Sequence, residues 1–297
     1  MSAAHPIVAV TGSSGAGTST ALRVFERIFD RLGLKAAIVE GDAFHAFDRD
    51  GSRAAIERAR IRGENFSLFG PAGNLLDKLE ALFRDYGESG AGTTRSYLHT
   101  ESEALGAQQS VGTFTPWQPV PPDTDILFYE GLHGGLVTDE YDIAGHVDLL
   151  VGVVPIVNLE WIQKIRRDTD ERGYAPEDVA TTILRRMPDY VNFITPQFSR
   201  TDVNFQRVPL VDTSNPFVVR DVPQPAQTLA VVHFNAHSRV HADFDALMAR
   251  LPGSFVSNGQ TLVVPGQLMY EAMEAIVHPA IARLAQDRRA AGSAGAA

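Results

Sequence analysis

The first forty residues alternate between short apolar runs and one glycine-rich turn. Residues 7–10 are all apolar, and the run is short enough for a buried strand. Apolar residues then recur at helical spacing, at Leu22, Phe25, Phe29 and Leu32. Gly33 is a helix stop signal, and a second apolar run follows at 36–39. This pattern predicts a strand–loop–helix–strand unit, and therefore a parallel sheet with a right-handed crossover.

The remaining pattern predicts four more strands and four more helices. The strands are expected at 126–129, 149–154, 208–211 and 229–232, and the helices at 73–86, 157–172, 176–193 and 266–287. Residues 87–124 are rich in Gly, Thr, Ser, Gln and Pro and have few periodic apolar positions. They predict a long loop, which in a compact domain is usually functional or mobile. We therefore expect an α/β fold with a mostly parallel central sheet flanked by helices, and a C-terminal strand and helix extension.

Composition narrows the classes of function. The chain has 297 residues with 26 basic and 36 acidic side chains, a formal net charge of −10. This balance argues against nucleic acid or an anionic membrane surface as the main partner. Because the chain has no cysteine, disulfides, thiolate nucleophiles and zinc–thiolate sites are excluded. No signal-like segment and no membrane-spanning apolar run is evident, which predicts a cytoplasmic location.

The turn at residues 12–19 fits the phosphate-loop pattern G-x-x-x-x-G-K-[ST] at every position except the lysine, which is Thr18. In such loops the backbone N–H groups and the helix N-terminus hold phosphate oxygens, and the Ser19 hydroxyl would reach Mg²⁺. The candidate ATP-binding residues are Gly12, Ser13, Ser14, Gly15, Ala16, Gly17, Thr18, Ser19 and Thr20. The alternative is a tight turn that is glycine-rich by chance. If the loop binds ATP, the missing positive charge must come from elsewhere.

Two acidic residues follow predicted strands. Glu130 ends the apolar run at 126–129, as do the carboxylates that hold Mg²⁺ and its water in phosphate-loop enzymes. Asp42 follows the second strand, at the carboxyl edge where ligands bind in parallel sheets. Asp42 is therefore a candidate base for the attacking hydroxyl, and the alternative is a helix N-cap.

Six segments together carry a family resemblance: 40–45, 95–99, 129–134, 158–168, 202–209 and 211–217. In these segments the chain resembles the bacterial phosphoribulokinases of the phosphoribulokinase/uridine kinase family, from about residue 6 to 286. That family also has threonine where other phosphate-loop enzymes have lysine. The resemblance implies a single P-loop kinase domain at 1–290, with a core at 6–215 and an extension at 216–290. Residues 291–297 are expected to form a disordered tail.

The resemblance also implies an activity and a set of site residues. The activity is ATP-dependent phosphorylation of D-ribulose 5-phosphate to the 1,5-bisphosphate in the Calvin cycle, with Mg²⁺ and with ATP as co-substrate. Asp42 matches the catalytic base, Glu130 the carboxylate on the Mg²⁺ side, and Asp168 a second essential acid that is either a metal ligand or a base. Residues at sugar-phosphate positions are His45, Arg49, Tyr97, His99 and His133. The basic group that closes over the transferred phosphoryl is Lys164, Arg167 and Arg172.

The chemistry of phosphoryl transfer agrees with this set of acidic and basic site residues. Phosphoryl transfer needs positioning and positive charge around the transferred group. Lys164 and Arg167 lie three residues apart and share a helix face, although such charged faces are more often simply solvated. Lys164 is the best candidate to replace the missing lysine. Arg49 suits a bidentate grip on the 5-phosphate, and its alternative is a surface arginine between two aspartates.

Two other functions stay open at this point. One is another small-molecule kinase, of the uridine or pantothenate type, which would share the phosphate loop. The other is a nucleotide-binding regulator without catalysis, which needs only the glycine loop. By resemblance the protein is expected to be a homo-oligomer, either an octamer or a dimer.

Overall fold

An eight-stranded mixed sheet organises the fold. The computed structural model describes residues 4–13, 18–170, 173–219 and 221–295. The strands are β1 (Ile7–Thr11), β2 (Ala36–Glu40), β3 (Thr93–Thr94), β4 (Gln118–Pro119), β5 (Ile126–Gly131), β6 (Leu149–Val154), β7 (Val203–Pro209), β8 (Thr228–Phe234), β9 (Phe255–Asn258) and β10 (Thr261–Pro265). The large sheet has the order β2-β5-β1-β6-β7-β8-β10-β9, and β3 pairs with β4 separately. Strands β2 to β7 in that order are parallel, and β8, β10 and β9 continue the sheet antiparallel.

Helices cover both faces of this sheet. They are α1 (Thr18–Leu32), α2 (Arg49–Arg62), α3 (Leu76–Ser89), α4 (Glu101–Ala107), α5 (Val157–Asp170), α6 (Pro176–Asp189), α7 (Phe244–Arg250) and α8 (Met269–Gly295). A π-helical turn at Tyr190–Ile194 continues α6. The predicted fold class is confirmed, since the parallel strands form the centre and the C-terminal strands and helix extend it.

The central strand β1 is buried on both faces, as its continuous apolar run predicts. Val8 and Val10 point into the core that α1 and α8 cover, with Phe25 of α1 against them. Ile7 and Ala9 point to the opposite core, which α3 covers. Because both faces are filled, a ligand can reach this part of the sheet only at the carboxyl edge of the parallel strands.

One predicted strand was wrong, and the helices α2, α4 and α7 were not predicted. The strand expected at 208–211 lies earlier, at Val203–Pro209. Its apolar Val203 and Phe205 flank the buried but polar Asn204, so no continuous apolar run marks the strand, and Pro209 ends it because proline has no N–H for the ladder. Helix α2 has only the small residues Ala55 and Ala59 buried, too weak an apolar stripe to predict a helix.

Three further segments differ from expectation. The expected helix at 176–193 is interrupted after Pro188, and the chain continues in the π turn. The expected loop at 87–124 contains β3, β4 and α4, which a capping box starts. The last helix reaches Gly295, so residues 291–295 are helical where a disordered tail was expected; alanine-rich sequence extends an existing helix easily.

None of the described helices is long and apolar enough to span a bilayer.

Candidate active site

The start of the phosphate loop and two carboxylates meet at the carboxyl edge of the sheet. Register places Val10 of β1 beside Glu130 of β5, and Glu130 beside Glu40 of β2. The Gly12 N–H donates to the Gly131 carbonyl at 3.1 Å, so the ladder continues into the loop. The first residues of the phosphate loop and the acid of β5 are therefore direct neighbours, and β5 separates β2 from β1, although the second strand was expected beside the first.

Two glycines let β2 and β5 approach closely at this edge. A Cβ on Gly41 would lie 2.6 Å from Tyr129 Oη and 2.8 Å from the Gly131 Cα. A Cβ on Gly131 would meet the same hydroxyl at 2.6 Å. Tyr129 is fully buried, and its side chain packs against both glycines. Any larger side chain here would push the strand ends apart and displace Asp42, which follows Gly41.

Asp42 forms an ion pair with His45, which Asn74 orients. Asp42 Oδ1 lies 3.1 Å from His45 Nε2, and His45 Nδ1 lies 2.9 Å from Asn74 Oδ1. The Asn74 amide nitrogen donates to the Leu68 and Gly70 carbonyls at 2.9 and 2.8 Å, so its oxygen faces the imidazole as an acceptor. His45 therefore carries a proton on both ring nitrogens and is an imidazolium beside the carboxylate.

The electrostatics of this pair keep Asp42 ionised. Burial disfavours its charged form, but the hydrogen bond and charge of His45, helped by His99 and Arg167, lower the pKa of Asp42 to about 2. The same bond raises the pKa of His45 above its ordinary value, against the opposing effect of burial. The Asp42 side chain remains 42 % exposed, so a substrate can reach it. It makes no N-cap hydrogen bond, because the N-cap of the short helix Gly41–Phe44 is Glu40.

The predicted sugar-phosphate residues occupy different positions around Asp42. His99 Nε2 lies 3.6 Å from Asp42 Oδ2, and its ring contacts that of Tyr97, with 4.8 Å between centroids. Arg49 is exposed at the start of α2, where its backbone N–H donates to the Gly112 carbonyl at 2.9 Å. Gly112 in turn donates to the Leu98 carbonyl, which joins the start of α2 to the segment of Tyr97 and His99.

His133 is the least accessible of these residues. Its ring is buried, and Nε2 lies 3.0 Å from the Phe69 carbonyl. Burial lowers the pKa of His133 to about 4, so the ring is neutral and Nε2–H donates to that carbonyl. This bond holds the segment of Phe69 against the turn after β5.

The basic group lies on α5 around a buried acid. Lys164 Nζ is in hydrogen-bond contact with the Asp168 carboxylate, and their side chains are 8 % and 7 % exposed. Arg167 Nε lies 3.4 Å from the other Asp168 oxygen. Burial, together with the charge of Arg186 from α6, lowers the pKa of Lys164 to about 8. Asp168 therefore orients both predicted cations of this helix.

Two further charged groups complete this half of the site. Glu160, one turn before Lys164, is buried beside Ser13, and burial raises the pKa of Glu160 to about 7. Arg186 stands over the Phe69 ring at 5.2 Å, and burial lowers its pKa to about 10, so it keeps its charge at neutral pH. The charge of Arg186 also acts to lower the pKa of His45, so the helical and strand halves of the site interact electrostatically.

Comparison with known proteins gives a consistent result. The Phosphoribulokinase / Uridine kinase family model matches residues 7–214. The chain belongs to this family. It is 55 % identical to a "Probable phosphoribulokinase" of Escherichia coli, over 97 % of this chain and 99 % of that protein. It is 53 % identical to the plasmid phosphoribulokinase of Cupriavidus necator, over 98 % and 99 %. The solved phosphoribulokinase of Rhodobacter sphaeroides superposes with a TM-score of 0.88 at 46 % identity, covering 97 % of this chain and all of that one.

This family membership confirms the resemblance and the fold drawn from the sequence. Of the predicted site residues, Ser14, Gly15, Ala16, Gly17 and Arg172 lie outside the described residues. Thr18, Ser19 and Thr20 form the first turn of α1. Asn74, Glu160 and Arg186 were not predicted as site residues. Glu160 lies in segment 158–168, which carries the family resemblance, and this was the one sequence feature that could have indicated Glu160 as a site residue.

Proposed function

We propose that this chain transfers the γ-phosphoryl group of ATP to a hydroxyl of D-ribulose 5-phosphate, giving the 1,5-bisphosphate of the Calvin cycle. The observation that carries the proposal is the whole-chain similarity, at more than half identity, to relatives named phosphoribulokinase. The geometry supports it, because the partly exposed Asp42 carboxylate follows β2 at the carboxyl edge of the sheet and Asp168 orients two cations on α5.

In this proposal Asp42 receives the proton of the attacking hydroxyl. Its carboxylate is ionised and partly exposed, with His45 at one oxygen and His99 at the other. Such a general base contributes about 10²–10⁴ to the rate. Arg49 and Tyr97 bind the distant part of the sugar phosphate, which does not react. Asp168 orients the cations, and its own role as a metal ligand or second base stays a prediction.

The residues at the sheet edge fit Mg²⁺. This ion is usually held by one or two carboxylates together with substrate phosphates and water, not by a cage of protein ligands. The described part of the chain contains no cluster of three His, Asp or Glu side chains able to form such a cage. Glu130 at the strand end, with the Ser19 hydroxyl, would hold the ion. When bound, Mg²⁺ would neutralise charge on the β- and γ-phosphates.

Positive charge from α5 and α6 takes the place of the missing loop lysine. Thr18 offers one neutral hydrogen bond at most. Lys164, Arg167 and Arg186 supply three cations from the two helices, balanced in the free enzyme by buried acids. In a site poor in water these charges stabilise the phosphoryl group strongly during transfer.

A coupled ATPase assay with ribulose 5-phosphate, uridine and pantothenate as separate acceptors tests the proposal. We expect turnover with ribulose 5-phosphate alone, and its loss in Asp42→Asn. Turnover with uridine or pantothenate would favour another kinase of the family, and turnover with none would favour a nucleotide-binding regulator. That the protein forms homo-oligomers and that it is cytoplasmic stay predictions. Light scattering would measure the oligomeric state.

A further inference from the structure

The Arg95 side chain binds the backbone of the turn that carries Asp42. Arg95 Nε donates to the Ala43 carbonyl and Nη2 donates to the His45 carbonyl, both at 2.7 Å. Carbonyls at the end of a short helix lack partners within that helix, and a cation is favourable there. A guanidinium suits such a pair of acceptors, because its N–H groups form a rigid fork. Arg95 therefore holds the backbone within three residues of Asp42.

Aromatic rings fix the orientation of this guanidinium. Its central carbon lies 3.6 Å from the centroid of the Phe114 ring and 4.7 Å from that of Trp117. Trp117 in turn contacts Phe44 in the same turn, with 5.7 Å between ring centroids. Stacking on aromatic faces is favourable for a guanidinium, and contact with two rings leaves it little freedom to rotate. The two donors are thus aimed at the two carbonyls before any substrate binds.

Arg95 also begins the segment that contains Tyr97 and His99. Tyr97 pairs with Phe114 in an isolated antiparallel bridge, and their ring centroids lie 5.3 Å apart. Because Phe114 also contacts the guanidinium, Arg95 and Tyr97 share one aromatic support. His99 Nε2 lies 3.6 Å from Asp42 Oδ2. Contacts therefore form a closed circuit, from the turn of Asp42 through Arg95 to His99 and back to Asp42.

We propose that Arg95 is a positioning residue that sets the place of Asp42 relative to Tyr97 and His99. The inference rests on the proposed function, in which Asp42 receives the proton of a hydroxyl on a sugar phosphate that Tyr97 helps to bind. Without the fork, the carbonyls on both sides of Phe44 lose their donor and the turn can shift. A displacement of about 1 Å at a reacting group can cost about 10² in rate.

Steady-state kinetics of Arg95→Met measure this effect. The described hydrogen bonds and ring contacts of Arg95 all lie in the strand half of the site. We therefore expect kcat with ribulose 5-phosphate to fall about 10²-fold, while KM for ATP changes less than about twofold. The matched control is Arg84→Met, which removes an exposed arginine paired with its neighbour Asp85 on α3 and should leave both constants unchanged. Thermal unfolding shows whether each variant is folded.

A double-mutant cycle with Asp42→Asn separates positioning from a general structural role. If Arg95 acts through Asp42, Arg95→Met should lower kcat less than about threefold in the Asp42→Asn background, because the group that it positions no longer takes the proton. A merely structural effect would lower kcat by the same factor in both backgrounds. That result would overturn the inference.

Arg95→Lys decides the matter if Arg95→Met does not fold. Lysine keeps the charge beside the aromatic rings but has one nitrogen in place of the fork, so we expect about a tenfold loss of kcat that again disappears in the Asp42→Asn background. Unchanged kcat in a folded Arg95 variant, or a rise in KM for ATP as large as the loss in kcat, overturns the inference and leaves the proposed function intact. Failure of the unmodified chain to phosphorylate ribulose 5-phosphate overturns both.

Discussion

Replacing Lys164 by methionine tests whether a cation from α5 substitutes for the missing loop lysine. Methionine keeps most of the length and volume of the side chain and removes only the ammonium. Lys164 is nearly inaccessible, and its ammonium is paired with Asp168 rather than exposed on a helix face. Its charge therefore acts in a site where water does not screen it.

The magnitude follows from this environment. Loss of one oriented donor in a water-poor site costs about 10²–10³ in kcat, or about 3–4 kcal/mol of transition-state stabilisation. Arg167 remains 3.4 Å from Asp168 and keeps that carboxylate paired. Because Lys164 acts mainly on charge that develops during transfer, KM for ATP should rise less than about fivefold.

Steady-state kinetics in the coupled assay measure both constants, and thermal unfolding shows that the variant is folded. Lys164→Arg is the matched control: it keeps the charge in a different shape and should retain more activity than Lys164→Met. A large loss of ATP affinity with kcat preserved would place Lys164 in ground-state binding. That result would refute the substitution argument.

Three further substitutions test the strand half of the site. Asp42→Asn should lower kcat by about 10²–10⁴ with ATP affinity little changed, and a loss confined to ATP binding would remove Asp42 as the base. Arg49→Ala should mainly raise KM for the sugar phosphate, because it removes a binding contact to a phosphate group that does not react. A decrease in kcat with KM unchanged would argue against this role. Gly41→Ala should cost about 1–3 kcal/mol of stability in denaturant unfolding, since its Cβ would lie 2.6 Å from Tyr129 Oη. Gly106→Ala in α4, where nothing lies within 4 Å of the added Cβ, is its control and should be neutral or stabilising.

The elements closest to the nucleotide were the most predictable from the sequence. The apolar run of β1 and the helical spacing of α1 belong to one local pattern, and the structure has a strand at Ile7–Thr11 and a helix at Thr18–Leu32. The strand at 149–154 is found at those residues. By contrast, β7 was placed five residues late, because the run around Pro209 reads as apolar although proline ends the ladder there.

Residues that act through tertiary contacts could not be found this way. Asn74 is 29 positions from His45 in the chain, in a short turn without any periodic signal. Arg186 follows another arginine on a helix, where charged residues are usually solvated, yet it is buried over the Phe69 ring. Only the packed structure brings such groups together. Their partners in the site were predicted because they lie in recognisable segments.

The ion pair between Asp42 and His45 has a consequence for the order of bond changes. An alcohol holds its proton about as strongly as water, whose pKa is about 15.7. Transfer to a carboxylate with a pKa of about 2 would be uphill by about 19 kcal/mol before the reaction begins. A turnover of about 10 per second, typical of kinases, corresponds to a total barrier of about 16 kcal/mol. An alkoxide formed in advance is thus too costly. In the proposed reaction, therefore, the proton would pass to Asp42 only after the new P–O bond has made the hydroxyl strongly acidic, and until then the carboxylate would orient the hydroxyl.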